Sequence, residues 1–421
     1  MFSLWIFLSL HSARATDQVP VPNSSALLPN IVGETTGSLP QGRFIVSVLN
    51  LVTPLESKSL LNGDSQSFSS LFNRNLTWQT LMDSEPARKN QVAGLLSANG
   101  IMDFSQSAGS FAGSFGGRAT TLVPLIGYGL TDRIGVFFVI PIIKFQTSYS
   151  TAYQASSSAQ QLIQNLQSSG QSSTASEMAE SLNQGFDLQL KHSGFTNTPN
   201  RELQCVGDLR MEVPVPLTEV TKPLQWIAST QAVFPTAEPS ATDDFFGFSG
   251  GEKRFALGQK ITAAWNPPGL RRSTILASTS VMIPFGTEMS VRVPKNSIDF
   301  LPSDIDPSTQ ISGGILAQAF TSFRYDWSTL IGTKLSYQFQ RRFQKTFSGS
   351  LFDSTRYDLL TKLTEESLHS IQAGIEFNTI RAFLDGKFLF PGMLSLGAGI
   401  PIASQNSLNT PTYLLQGALF F

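Results

Sequence analysis

The sequence predicts an all-β chain that closes into a transmembrane antiparallel β-barrel of about 12 strands, within a range of about 10 to 14, with long loops carrying some helix. Three observations predict it. The last stretch alternates cleanly: Phe421, Leu419, Gly417, Leu415 and Tyr413 share one face, and Phe420, Ala418, Gln416, Leu414 and Thr412 share the other. Charged residues make up only 14% of the 421, and mean hydropathy is +0.01, whereas soluble domains carry roughly a quarter charged residues. Finally, short and long connections alternate along the chain. No run of about 20 apolar residues follows the N-terminus, which excludes a spanning helix there. Alternating strands hide their apolar face in such an average.

Composition narrows the chemistry. A net charge of −1 argues against nucleic acid as a partner. The single cysteine, Cys205, excludes an intrachain disulfide, and His11, His192 and His369 are too scattered for a recognisable metal cluster, so no cofactor or metal is expected. Thirty-two Phe against 29 Lys and Arg suit a lipid-facing surface. Residues 1–15 read as a signal peptide: an apolar run to Leu10, then Ala13-Arg14-Ala15 as a small-residue cleavage site, without the usual basic start. A structural N-terminal helix is the alternative. Residues 16–42 are rich in Pro, Ser and Asn and read as irregular; 43–421 read as the barrel, with long loops at 53–117 and 148–202.

The first strand is expected at 43–52. The segment to 117 carries short helical patterns and a Ser/Ala/Gly run at 105–117 that reads as flexible. The hairpin 118–144 is the most informative. Its turn, Tyr128-Gly-Leu-Thr-Asp-Arg133, leads into an apolar strand ending in Ile140-Pro141. This hairpin resembles a family of outer-membrane transporters linked to meta-cleavage phenol degradation, itself similar to long-chain fatty-acid and hydrocarbon channels. The resemblance is sharp over these residues and diffuse from 43 to 421. It implies a bacterial outer-membrane channel for passive uptake of small hydrophobic or aromatic solutes. The Asn-Pro-Ala hatch of the fatty-acid channels is absent from the mature N-terminus. A chain stopping on Phe421 at the end of such a strand also resembles the closing strand of outer-membrane barrels, which the barrel-assembly machinery reads; an edge strand of a soluble domain is the plain alternative.

Residues 155–185 have apolar positions at loosely helical spacing, compatible with surface helices or with a segment folded into the barrel mouth. Further strands are expected at 205–215, 224–235, 254–265, 273–284, 311–327, 330–343, 370–378, 393–402 and 413–421, with 379–391 unregistered. An even count puts both termini on the periplasmic side, with short turns near 131, 219, 268 and 328 there and the long connections on the other. Trp226, Trp265, Trp327 and Phe421 fall at the short-turn ends, as an aromatic girdle would. Pro141, Pro235, Pro284 and Pro401 each close an Ile-Pro or Phe-Pro strand end and are expected at the outer rim, since proline lacks a ladder donor.

By phase, Asp208, Arg210, Glu212, Lys260, Arg324, Lys334, Gln338, Arg342 and Glu376 line the lumen, where they either set solute preference or simply pair with one another. Mixed signs argue against strong ion selectivity. His192 beside Ser193 is an isolated pair, and no catalytic motif accompanies it, so no enzyme is expected. The alternative to a channel is a non-conducting barrel whose extracellular loops bind a surface partner.

Overall fold

The computed structural model describes residues 39–421 except 61, 63, 85, 197–198, 220–221, 239–240, 245–248, 271, 297–300 and 363. The expected leader and residues 16–38 of the irregular segment lie outside the described residues.

Twelve antiparallel strands form one closed wall. They are β1 (Phe44–Pro54), β2 (Ser107–Gly129), β3 (Gly135–Val139 and, past a break, Ile142–Ala155), β4 (Asn200–Val206 and Leu209–Pro216), β5 (Leu224–Phe234) and β6 (Ala256–Trp265). The second half comprises β7 (Ser273–Pro284), β8 (Leu316–Asp326), β9 (Ile331–Arg342), β10 (Glu366–Asn378), β11 (Gly392–Gln405) and β12 (Thr412–Phe420). Each strand pairs with its chain neighbours, and β1 pairs with both β2 and β12, so the sheet has no edge. Closure is what hydrocarbon demands, because an unpaired backbone N–H or C=O has no water partner there. The seam is locked at its end: Phe44 and Phe421 exchange both backbone hydrogen bonds, at 3.0 and 2.9 Å, and their rings stack at 4.8 Å.

The outer face is apolar. Leu335, Ile375, Leu396 and Leu415 on consecutive strands from β9 to β12 are 45–63% exposed, and Val46, Ile126, Phe138 and Ile261 continue the belt. Among the outward polar groups, the Gln259 amide donates to the Thr230 hydroxyl at 3.1 Å. On β2 and β3 the belt stops at Leu122 and gives way to Arg118, Lys144 and Gln146; Lys144 pairs with Glu202 at 2.7 Å.

Beyond the belt, β2 and β3 continue as a ladder from Leu122↔Ile142 to Gly109↔Ala155. From Ser107 on, the expected flexible run at 105–117 is therefore strand, as is the start, to Ala155, of the expected loop at 148–202. Water wets the outer side here, so Ser, Gly and Ala occupy alternate positions and the apolar period vanishes while the pairing persists. The inner side of this ladder carries Phe111, Phe145 and Tyr149. Against it pack helices α1 (Trp78–Ser84), α2 (Lys89–Ala98), α3 (Ser157–Ser168), α4 (Ser172–Asn183) and α5 (Gly185–His192). Trp78, Leu162, Leu182, Phe186 and Leu190 are fully buried in this cap. Ser156 starts α3, its hydroxyl accepting from the Ala159 N–H at 3.2 Å.

Two further expectations change. The strand expected at 311–327 divides at Gly313 and Gly314, whose φ angles of +68° and +78° favour glycine. Ile305–Gly313 joins Thr287–Arg292 and Lys345–Ser348 in a small separate sheet, and only Leu316–Asp326 belongs to the wall. The unregistered 379–391 is a connection holding α7 (Ile380–Leu384), with helix α6 (Ser354–Lys362) earlier in the loop after β9.

Of the four prolines expected at the outer rim, two end a strand and two do not. Pro235 follows β5 directly and Pro284 ends β7. Pro141 lies in the break of β3, which runs on to Ala155, and Pro401 lies inside β11 beside a bulge opposite His369 and Ser370. A missing donor is tolerated equally well at a break, a bulge or a strand end. The β4 break at Gly207 and Asp208 adjoins that of β3 and shifts the strand phase: Cys205 is half-buried beside outward Val206, whereas Arg210 and Glu212 take the inner side beyond it. The shift turns one continuous apolar set, Leu203 and Cys205 and then Leu209, Met211, Val213 and Val215, from the inner side against the cap to the outer side in the belt.

Candidate functional site: the barrel interior

The interior has two unlike walls. Ile45, Leu49 and Leu51 of β1, Val123 and Leu125 of β2, and Phe137 and Val139 of β3 form a buried apolar stripe. The facing strands are polar. On β7 to β10 the Ser280 hydroxyl donates to Gln318, whose amide donates to Gln340 at 3.1 Å, and the Gln372 amide reaches Gln338 at 3.5 Å. The alternation that places Leu, Ile and Phe outward puts Ser, Gln and charge inward on the same strands.

Charges on this wall are paired. Lys260 of β6 meets Glu212 of β4 at 2.9 Å, and the Gln231 amide of the intervening β5 donates to Glu212 at 2.8 Å. Arg324 bridges Asp326 and Glu376 at 2.9 and 3.0 Å. The Lys334 ammonium stands over the buried Phe320 ring, 5.7 Å from its centroid.

A denser group occupies the long-loop end. Residues 235–238 and 249–255 of the connection between β5 and β6 fold inward and are stitched to the β4 break. The Asp208 carboxylate accepts from the N–H groups of Ala237, Glu252 and Lys253 at 3.0, 2.8 and 3.3 Å. The fit is close, since a Cβ on Gly207 would strike Pro141 and one on Gly250 would strike the Val206 carbonyl. Glu252 then reaches strands far around the wall. It pairs with Arg342 of β9 at 2.5 Å, with Lys345 at 3.4 Å and with Arg254 at 3.9 Å; Arg342 also approaches Glu366 at 3.7 Å. Arg210 of β4 lies in the field of Glu252 and Arg342. Burial pushes the Glu252 carboxyl up, but Arg342, Lys345 and Arg254 outweigh it and hold it down to about 2.

The nine expected residues thus fall into three groups on the inner face. Glu212 and Lys260 pair; Arg324 and Glu376 pair, with Lys334 and Gln338 on the adjoining β9; Asp208, Arg210 and Arg342 join the mouth group. Sequence reasoning missed Glu252, Arg254 and Lys345, which lie outside the strands of the wall. The signal was the charged triplet Glu252-Lys253-Arg254 directly after a run of Phe, Gly and Ser at 245–251. His192 ends α5, and the Ser193 carbonyl accepts from Arg292 at 2.6 Å. Trp226, Trp265, Trp327 and Phe421 are 42–60% exposed at the short-turn ends of their strands.

No protein-family model matches the chain, and no curated protein matches its sequence. Solved structures do. An outer membrane channel from Pseudomonas putida F1 aligns over 92% of this chain and 98% of its own, at 12% identity and a TM-score of 0.50. The Pseudomonas putida toluene transporter TodX aligns over 96% of each chain at 11% identity and a TM-score of 0.31. The translocator domain of autotransporter NalP from Neisseria meningitidis covers 94% of this chain and 92% of its own, at 8% identity and a TM-score of 0.35. At 12% identity the likeness to the first of these is one of fold: the chain has an outer-membrane β-barrel fold.

Proposed function

We propose that the chain is a bacterial outer-membrane channel for passive uptake of small, hydrophobic or aromatic solutes. One observation carries the solute class: an apolar stripe from Ile45 to Val139 faces a wall of Ser, Gln and paired charge inside one closed barrel. A ring has apolar surface to slide along, and a hydroxyl or other polar substituent has hydrogen-bonding partners opposite. The nine inner polar residues tune that preference. The fold shared with a bacterial outer-membrane channel supports the compartment.

In this reading outer-membrane lipid wets the belt, and both termini are periplasmic. An even strand number and the short connections on the terminal side support that orientation. Trp226, Trp265, Trp327 and Phe421 form the periplasmic aromatic girdle. The assembly machinery engages β12. Uptake of phenol into liposomes carrying purified protein tests the proposal; flux no greater than in empty liposomes would overturn it.

A second reading has one observation in its favour: the cap possesses its own apolar core, built on Trp78, Phe111 and Leu182. That fits a non-conducting barrel whose loops bind a surface partner. Deleting residues 155–185 separates the two, since unchanged uptake with lost attachment favours the binder.

A further inference from the structure

We propose that the mouth group is a carboxylate-binding site, occupied in this structure by the chain's own Glu252, and that the channel passes small organic carboxylates by letting a solute carboxylate replace Glu252. The inference rests on the channel reading and deepens it.

The geometry is that of a bound anion. Arg342, Lys345 and Arg254 surround one carboxylate at 2.5, 3.4 and 3.9 Å, and Arg210 adds a fourth cation from β4. The Arg342 and Arg254 side chains are 4% and 2% exposed, so these cations are held by the barrel and not by bulk solvent. Four cations face three anions, Asp208, Glu252 and Glu366. Lifting Glu252 away leaves four against two. Among the described residues, Arg210 Nε and Arg254 Nη1 are buried without a hydrogen-bond partner, so donors remain for a second carboxylate geometry. Planar guanidinium groups suit such a ligand, which they take in a fork of N–H donors.

Glu252 is also a replaceable ligand. It is carried by a connection and not by a strand, and it is 18% exposed, more than the arginines it joins. Its neighbour Lys253 sits at φ +51°, a left-handed conformation disfavoured for a side-chain-bearing residue, held by the Asp208 contact. Glu252 and Lys253 thus have a defined closed position and a local conformation that favours leaving it. Because it spans from β4 to β9, a solute entering from the long-loop side meets this crossbar.

The test is calorimetric titration of the full chain in detergent with sodium benzoate and, as the uncharged counterpart, benzyl alcohol. Glu252→Gln should bind benzoate about tenfold or more tightly than the unaltered chain, because the competing internal charge is gone. Benzyl alcohol binding should not change, and adding Arg342→Gln should abolish the gain. Equal benzoate affinity, or an equal gain for benzyl alcohol, would overturn the proposal. If Glu252→Gln does not fold, benzoate added to the unaltered chain should accelerate tryptic cleavage after Lys253 while benzyl alcohol does not; no acceleration would overturn it. Binding in detergent needs no conduction, so a failed uptake assay and a failed titration remain separate results.

Discussion

Glu212 of β4 and Lys260 of β6 meet at 2.9 Å with side chains 5% and 2% exposed, two strands apart on the inner wall. Removing one partner leaves the other charge buried and uncompensated. Lys260→Met should therefore destabilise the barrel by about 3 kcal/mol, the lower end for a broken buried pair because a lumen admits some water. The double variant Lys260→Met with Glu212→Met should recover most of that loss. Urea unfolding in lipid vesicles measures both; a double variant as unstable as the single one would contradict the pairing.

Ile375 lies 61% exposed near the middle of β10, between Thr333 and Leu396. If lipid wets it, Ile375→Arg should cost about 2–4 kcal/mol in vesicles. Ser148→Arg, on the water side of the β2–β3 ladder, should stay within about 0.5 kcal/mol. Equal effects at the two sites would remove the belt.

Glu252 sits below its ordinary value of 4.5, at about 2. A carboxylate depressed on folding contributes stability that is fully present above its unfolded value and is lost as pH falls through the folded one. The stability difference between the unaltered chain and Glu252→Gln should thus be constant above pH 4.5 and close between pH 4.5 and 2. The comparison with Glu252→Gln removes that one carboxylate and leaves the surrounding cations in place, so the difference follows Glu252. The check is a urea midpoint series against pH; a flat difference down to pH 2 would contradict the assignment.

Trp78 is fully buried in the cap. Trp78→Ala should cost the cap about 3–5 kcal/mol through the cavity it leaves. The barrel ladder does not depend on that side chain, so the heat-resistant band on gels should persist while α1 to α5 become sensitive to protease. Loss of the band would show that cap and barrel fold as one unit.

How far the sequence reached depends on which solvent each face meets. β9 was legible because Ile331, Leu335 and Phe339 alternate with Lys334, Ser336 and Gln338, lipid on one side and lumen on the other. The upper halves of β2 and β3 were not, because water on one side and a helical cap on the other leave no apolar alternation at Ser107–Gly117. The break at Gly207 was hidden because apolar residues hold every second position from Leu203 to Val215 except at the break, while the shift turns that set from the cap to the lipid side, so the pattern reads as continuous. Asp208, Arg210 and Arg342 were found by strand phase; Glu252 and Lys345 were not, since they lie outside the wall strands, whose phase does not reach them, and only folding brings them to the same point.

The most direct test is single-channel recording in a planar bilayer with the purified full chain. The account predicts discrete conductance steps, larger or more frequent in Glu252→Gln because the crossbar at the mouth is released. Folded protein inserted in the bilayer with no steps in either form would contradict it.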